Sequence, residues 1–149
     1  ALPISLSARI EACRALASND PKIVVTGLEA DLGSAFTVDT LAFLKRRFPD
    51  VRFVWLMGAD NLATFHRWFR WRQIAAAMPI AVVDRPGWHL PALASPTAQA
   101  LQRHRIPAAR AAKLPYTAPP AWTFLPARLS PLSSTALRGH KNGAGKGAR

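Results

Sequence analysis

The run Phe53-Val-Trp-Leu-Met57, closed by Gly58, limits what this chain can fold into more than any other stretch. An unbroken apolar run of that length, rich in β-formers and set off by Pro49-Asp50, reads as a strand buried on both faces, the mark of a central strand in a parallel sheet. A sheet buried that way needs helices on both faces, which predicts an α/β fold. Gly58 stands at the strand's carboxyl end, where a missing side chain lets a ligand approach the backbone, and ligands of open α/β sheets bind at that end. Asp60 stands where a helix N-cap would be, and Asn61 to Ile74 is a helical pattern crowded with aromatics. A buried strand, a turn glycine and a helix cap with no ligand would look the same, so other stretches must decide.

In chain order, Ser7 to Ala17 predicts a helix capped by Ser7, with Leu6, Ile10, Cys13 and Leu16 on an apolar face and Cys13 as a small core residue. Ile23-Val-Val-Thr26 predicts a short β-branched strand running into the loop from Gly27 to Gly33. Thr37 is expected to cap a helix from Val38 to Phe48 that turns Val38, Leu41, Leu44 or Phe43, and Phe48 inward. Ile80 to Val83 and Trp122 to Leu125 predict two further strands, with a turn at Asp84-Arg-Pro-Gly87. Pro96 to Arg105 predicts a helix and Ile106 to Ala121 a proline-bearing connection. Pro131 to Arg138 opens a last helix, and Gly139 to Arg149 is expected to be a flexible basic tail. One domain over residues 1–138, a tail over 139–149, and strands alternating with helices predict a doubly wound parallel sheet.

No apolar run is long enough to span a membrane and no export signal opens the chain, which predicts a soluble cytoplasmic protein. A lone cysteine excludes an internal disulfide and a cysteine-rich metal site. Charge is distributed unevenly: residues 1–84 hold 10 Lys and Arg against 8 Asp and Glu, whereas residues 85–149 hold 10 basic residues and no acidic one. Such a half meets an anion or stays heavily solvated. Nucleic acid and a polyphosphate ligand both fit that charge.

Ser133, Ser134 and Thr135 fall at a predicted helix N-terminus, where hydroxyls and free N–H groups attract anions. Arg138 returns to the same face one turn later, with a fork suited to phosphate oxygens. An ordinary serine-capped helix with a solvated arginine carries the same pattern. Phe65, His66, Trp68, Phe69 and Trp71 are too many aromatics for one helical face, so Trp68 or Trp71 is either a platform for a flat heterocycle or part of a second core layer. His66 has no second histidine at ligand spacing. There is no Gly-x-Gly-x-x-Gly, no phosphate-binding Walker loop and no nucleophile elbow.

Four stretches in register resemble one family. Gly58-Ala-Asp-Asn-Leu-Ala-Thr-Phe-His-Arg-Trp68 with Trp71 and Ile74, then Asp84-Arg-Pro-Gly87, then Leu132-Ser-Ser-Thr-Ala-Leu-Arg138 are similar to the bacterial nicotinate-nucleotide adenylyltransferases. Glu29 and Ser34-Ala-Phe-Thr-Val-Asp-Thr-Leu41 look like that family's Glu followed by Ser-Tyr-Thr-x-Asp-Thr-Leu, with Phe36 in place of the tyrosine. The resemblance implies a Rossmann-like nucleotidyltransferase fold with a parallel sheet. It also implies transfer of the adenylyl group of ATP, with Mg²⁺, to nicotinate mononucleotide, giving nicotinate adenine dinucleotide and pyrophosphate. It implies Thr37, Asp60 and Trp68 around the nicotinate nucleotide, with Arg85 near it, and backbone N–H groups near Thr37 and after Trp68 for the nicotinate carboxylate. Ser133, Ser134, Thr135 and Arg138 would hold ATP phosphates. No residue here is assigned as catalytic or as a metal ligand.

The family's opening strand and Gly-x-Phe-Asp-Pro-x-His-x-Gly-His half-site have no counterpart in this sequence, so the expected fold lacks its N-terminal βα portion. The opening Ala1-Leu-Pro-Ile4 reads like the translated end of a sequencing adapter, which fits a coding sequence that begins upstream. The expectation is an uncovered sheet edge and little adenylyl transfer from these 149 residues alone; family-like turnover in a coupled assay would overturn it. Three other readings compete: a basic nucleic-acid-binding module, whose binding would fall steeply with salt, a sister nucleotidyltransferase acting on phosphopantetheine, and a weakly structured remnant with no activity. The basic residues form no groove-reading element, and the aromatic segment suits a flat ring better than a flexible arm. Oligomeric state and the choice between nicotinate and nicotinamide are open.

Overall fold

The computed structural model describes residues 4–18 and 20–126; Ser133, Ser134, Thr135, Arg138 and the expected tail lie outside the described residues. The helices are α1 (Leu6–Ala17), α2 (Leu28–Asp31), α3 (Thr37–Arg47), α4 (Ala59–Thr64), α5 (Trp71–Ala77), α6 (His89–Leu93) and α7 (Pro96–Ala100). The strands are β1 (Trp55–Gly58), β2 (Ile80–Val83), β3 (Arg105–Ile106) and β4 (Trp122–Leu125). All pairings are parallel, in the order β1-β2-β4-β3. This is the expected Rossmann-like α/β arrangement, and β2 and β4 occupy the predicted residues.

Alternation along β2 and β4 divides the core in two. Ile80, Val82, Trp122 and Phe124 join Leu41, Leu62, Phe65 and Ile74 on the face covered by α3 to α7. Ala81 faces the other way, against Leu114 and Ala121, under a 3₁₀ stretch from Ala108 to Tyr116. Thr123 is the polar residue buried within β4, and its hydroxyl donates to the Ile106 carbonyl at 2.8 Å, so the buried oxygen has a partner. Trp122 Nε1–H likewise donates to the Leu101 carbonyl at 2.8 Å.

Several expectations are corrected. The Phe53–Met57 strand is Trp55–Gly58, and it is buried on one face only: Met57 is buried while Leu56, which points to the opposite face, is 64 % exposed. Ile23–Thr26 forms no strand; its β-branched residues favour extension, but no ladder is offered to them there. The capping serine of α1 is Ser5, which accepts from the Ala8 N–H at 3.3 Å, and no residue of α1 is buried. Cys13 is therefore exposed and not a core residue. Thr37 is the first residue of α3 instead of its cap, and Phe48 is exposed. The connection from Ile106 to Ala121 holds the Ala108–Tyr116 3₁₀ turn, and the expected Pro96–Arg105 helix shortens to α7 followed by a 3₁₀ turn at Gln102–His104.

The Asn61–Ile74 helix breaks into three: α4, a 3₁₀ turn at Phe65–Arg67, and α5. Trp68 is extended and Arg70 has φ 54°, a left-handed conformation uncommon for a residue with a Cβ. That break resolves the surplus of aromatics. Phe65 enters the core, while Trp68 and Phe69 swing out toward the start of α3.

Beside α3, an apolar groove of about 970 Å³ runs between α1, the Val24–Asp31 segment and the α3 face that carries Phe43, Leu44 and Phe48.

Candidate active site

Parallel pairing sets Gly58 beside Val83, so the segments leaving β1 and β2 start next to each other at one edge of the sheet. Asp60 lies in the first turn of α4, with Gly58 as the cap residue, so the expected N-cap role of Asp60 is corrected by two positions. The Asp60 side chain meets Arg85, with Nε 3.3 Å from Oδ1. This is a contact of charges without hydrogen-bond alignment, since Oδ1 is buried and no donor is aimed at it. With 48 % of the arginine side chain and 33 % of the aspartate side chain exposed, such a pair contributes at most about 1 kcal/mol to stability. Its consequence is placement, because it sets a guanidinium with donors to spare at the carboxyl edge of the sheet, where open α/β folds bind ligands.

Gly58 makes that placement possible. Its backbone is ordinary extended chain, φ −80°, so the glycine is not required for conformation. A Cβ there would run into Asp60 Oδ1 and Arg85 Nε and lie 3.2 Å from Arg85 Cδ.

A second group of residues meets between the start of α3 and the break after Phe65. Ala35, Phe36, Thr37, Trp68, Phe69 and Ile74 line a pocket of about 160 Å³, a fraction of the volume of a whole drug-sized site and suited to one ring. Trp68 is held from beneath by Phe65, whose ring centroid is 5.3 Å away at 65°. Phe36 and Phe69 close the other side at 4.5 Å between centroids, and the Arg70 guanidinium lies 5.0 Å from the Phe69 ring centre. Thr37 opens α3, so the pocket faces the positive end of an eleven-residue helix. Ser34 braces that end: its hydroxyl donates to Asp39 Oδ2 at 2.6 Å and accepts from the Phe36 N–H at 3.2 Å.

Of the residues singled out in the sequence, Thr37 and Trp68 are brought together in the pocket, and Asp60 and Arg85 are brought together at the strand ends. Trp71 instead packs on Phe65 at 6.0 Å, as a core neighbour. Phe69 was missed as a pocket wall, and Phe36 was read only as a substituted tyrosine; neither signal is visible until the helix break is known. The Asp84–His89 pair, 2.8 Å between Oδ2 and Nδ1, was also missed, since its spacing follows no helical or strand period. Among the described residues no group of three His, Cys, Asp or Glu side chains is placed to hold a metal ion. No described helix is long and apolar enough to cross a membrane.

The chain matches the cytidylyltransferase-like family over residues 1–140. It is 50 % identical over 136 residues to a Cereibacter sphaeroides protein named "Probable nicotinate-nucleotide adenylyltransferase", covering 91 % of this chain and 71 % of the relative. A Methylorubrum extorquens protein of the same name is 53 % identical over 133 residues, covering 89 % of this chain and 71 % of the relative. One from Agrobacterium fabrum is 52 % identical over 134 residues, covering 90 % and 71 %.

Proposed function

This chain belongs to the cytidylyltransferase-like family, among its nicotinate-nucleotide adenylyltransferases, and on that premise we propose that it serves adenylyl transfer from ATP to nicotinate mononucleotide in NAD synthesis. The phosphate oxygen of the mononucleotide bonds to the α-phosphorus of ATP, the α–β phosphoanhydride breaks, and pyrophosphate leaves with the electron pair. The product is nicotinate adenine dinucleotide. Transfer of this kind depends on positioning and on charge stabilisation more than on covalent help.

The observation that carries the reading is the ring-sized pocket with Trp68 on one side and Thr37 at the amino end of α3 on another. An indole beside a slot takes a flat pyridine, and a helix N-terminus takes its carboxylate. Arg85 would meet the mononucleotide phosphate beyond the β2 end, and Asp60 would accept hydrogen bonds from the same ligand. Ser133, Ser134, Thr135 and Arg138, outside the described residues, would hold the ATP phosphates. Mg²⁺ enters with ATP, as part of the substrate, bound chiefly through the phosphates. A cytoplasmic setting belongs to the same proposal.

Titration of the 149-residue chain with nicotinate mononucleotide, followed by tryptophan fluorescence, tests the reading. Stacking on an aromatic is worth about 1–3 kcal/mol, so Trp68→Ala weakens binding by about tenfold or more, while Trp68→Phe retains most of it. Wild-type chain that does not bind the mononucleotide, or W68A that binds equally well, overturns the assignment.

A further inference from the structure

We propose that Asp84 and His89, neither of them in the pocket or in contact with Asp60, form a clamp that positions Arg85 for an anionic ligand. The proposal rests on the role given to Arg85 above. Asp84 is the first residue after β2, and its N–H still donates to the Leu125 carbonyl at 3.0 Å, so its main chain is fixed to the sheet. Its side chain is only 11 % exposed. Oδ1 accepts from the Arg85 N–H at 2.8 Å, and Oδ2 accepts from His89 Nδ1 at 2.8 Å. A carboxylate can only accept, so the imidazole carries its proton on Nδ1.

One largely covered carboxylate thus ties both ends of the loop that carries Arg85. Between the ties, Pro86 and Gly87 make a turn closed by the Trp88 N–H on the Arg85 carbonyl at 3.0 Å, with Gly87 at φ 78°, the pattern of a type II turn. The imidazole is itself held edge-on to Phe124 of β4, 5.1 Å between ring centroids. Every backbone polar group of Arg85 is therefore engaged, its N–H by Asp84 and its carbonyl by Trp88. Among the described residues its guanidinium, by contrast, is met only by the unaligned carboxylate of Asp60. Loosening His89 removes one of the carboxylate's two donors and frees it to rotate away from the Arg85 amide. The arginine then loses its starting position without losing its charge. A device of this kind acts on substrate through Arg85, so Asp84 and His89 are positioning residues.

The test is a double-mutant cycle on the full 149-residue chain, with nicotinate mononucleotide as the probe, together with backbone amide exchange at Arg85 read by NMR. His89 is 56 % exposed, so His89→Ala keeps the fold. Expected are a loss of affinity of about tenfold for R85A and about fivefold for H89A, with the double variant no weaker than R85A, because groups acting through one another are not additive. H89Q, which can still donate to Asp84, recovers most of the affinity. Amide exchange at Arg85 rises by about tenfold or more in H89A as the bond to Asp84 opens. Additive losses in the cycle, or unchanged exchange at Arg85, overturn the clamp. If the wild-type chain fails to bind the mononucleotide, the proposed function falls, and the exchange measurement alone decides the clamp.

Discussion

Phe65→Ala lowers the unfolding free energy by about 3–5 kcal/mol, the range for emptying a phenylalanine site in a packed core. Phe65 is fully buried and begins the 3₁₀ turn that follows α4. It touches both layers of the site's foundation: Trp68 at 5.3 Å on one side and Trp71 at 6.0 Å on the other, each edge to face. Removing the ring leaves a void between two indoles that cannot both collapse into it, since α5 holds one and the helix break holds the other. Against a typical total stability of about 5–15 kcal/mol the loss is severe. Thermal or urea unfolding reads it, with Phe65→Leu as the milder comparison. Trp68 loses its backing as well, so mononucleotide affinity should fall in F65A at temperatures where the fold persists. A stability change under about 1 kcal/mol would show that Phe65 is not the packing centre assigned to it.

Gly58→Ala is expected to do the reverse, sparing the fold and removing function. The backbone at Gly58 suits any residue, and the atoms a methyl would strike belong to the Asp60 and Arg85 side chains, which can swing toward solvent. The surface ion pair lost in that way is worth about 1 kcal/mol or less, so unfolding shifts by no more than that. What is lost is the placement of two charged groups at the carboxyl edge of the sheet, and affinity for the mononucleotide falls by about tenfold or more, equivalent to roughly 1.4 kcal/mol. Titration and unfolding on the same preparation separate the two effects. Binding as tight as wild type in G58A would mean that the Asp60–Arg85 contact has no part in the site.

The two variants also separate what local sequence encodes from what assembly decides. Ile80–Val83 and Trp122–Leu125 were legible to the residue because strands buried on both faces read as near-continuous apolar runs, broken in the second only by Thr123, with turn signals at their ends. The turn expected at Asp84-Arg-Pro-Gly87 was legible to within one residue, standing at Arg85–Trp88, since proline fixes φ and glycine permits a positive one with little help from neighbours. The candidate site was legible in part as chemistry, through an aspartate after a strand-ending glycine, whereas Arg85 was pointed to by the family resemblance alone.

Elsewhere, local preference was overruled. Ile23–Thr26 has strand propensity, but a strand is a pairing, and propensity cannot supply the partner. Leu6, Ile10, Cys13 and Leu16 have the spacing of a buried face, yet α1 buries none of its residues, because periodicity states which residues share a side and not what lies against it. The Asn61–Ile74 pattern is helical throughout, and only packing sent Phe65 inward and Trp68 and Phe69 outward at a left-handed Arg70.

The sequence by itself determined the α/β class, the two central strands and the turn that bears Arg85. Each follows from short-range physics: side-chain shape, backbone φ and the alternation of polarity. Only the tertiary structure decided that Asp60 meets Arg85 over Gly58, that Phe36 and Phe69 wall the pocket with Trp68, and that Asp84 ties His89 to the Arg85 amide. Those contacts join segments whose separation along the chain has no local signature; the parallel register that lays the ends of β1 and β2 side by side is what brings Asp60 to Arg85.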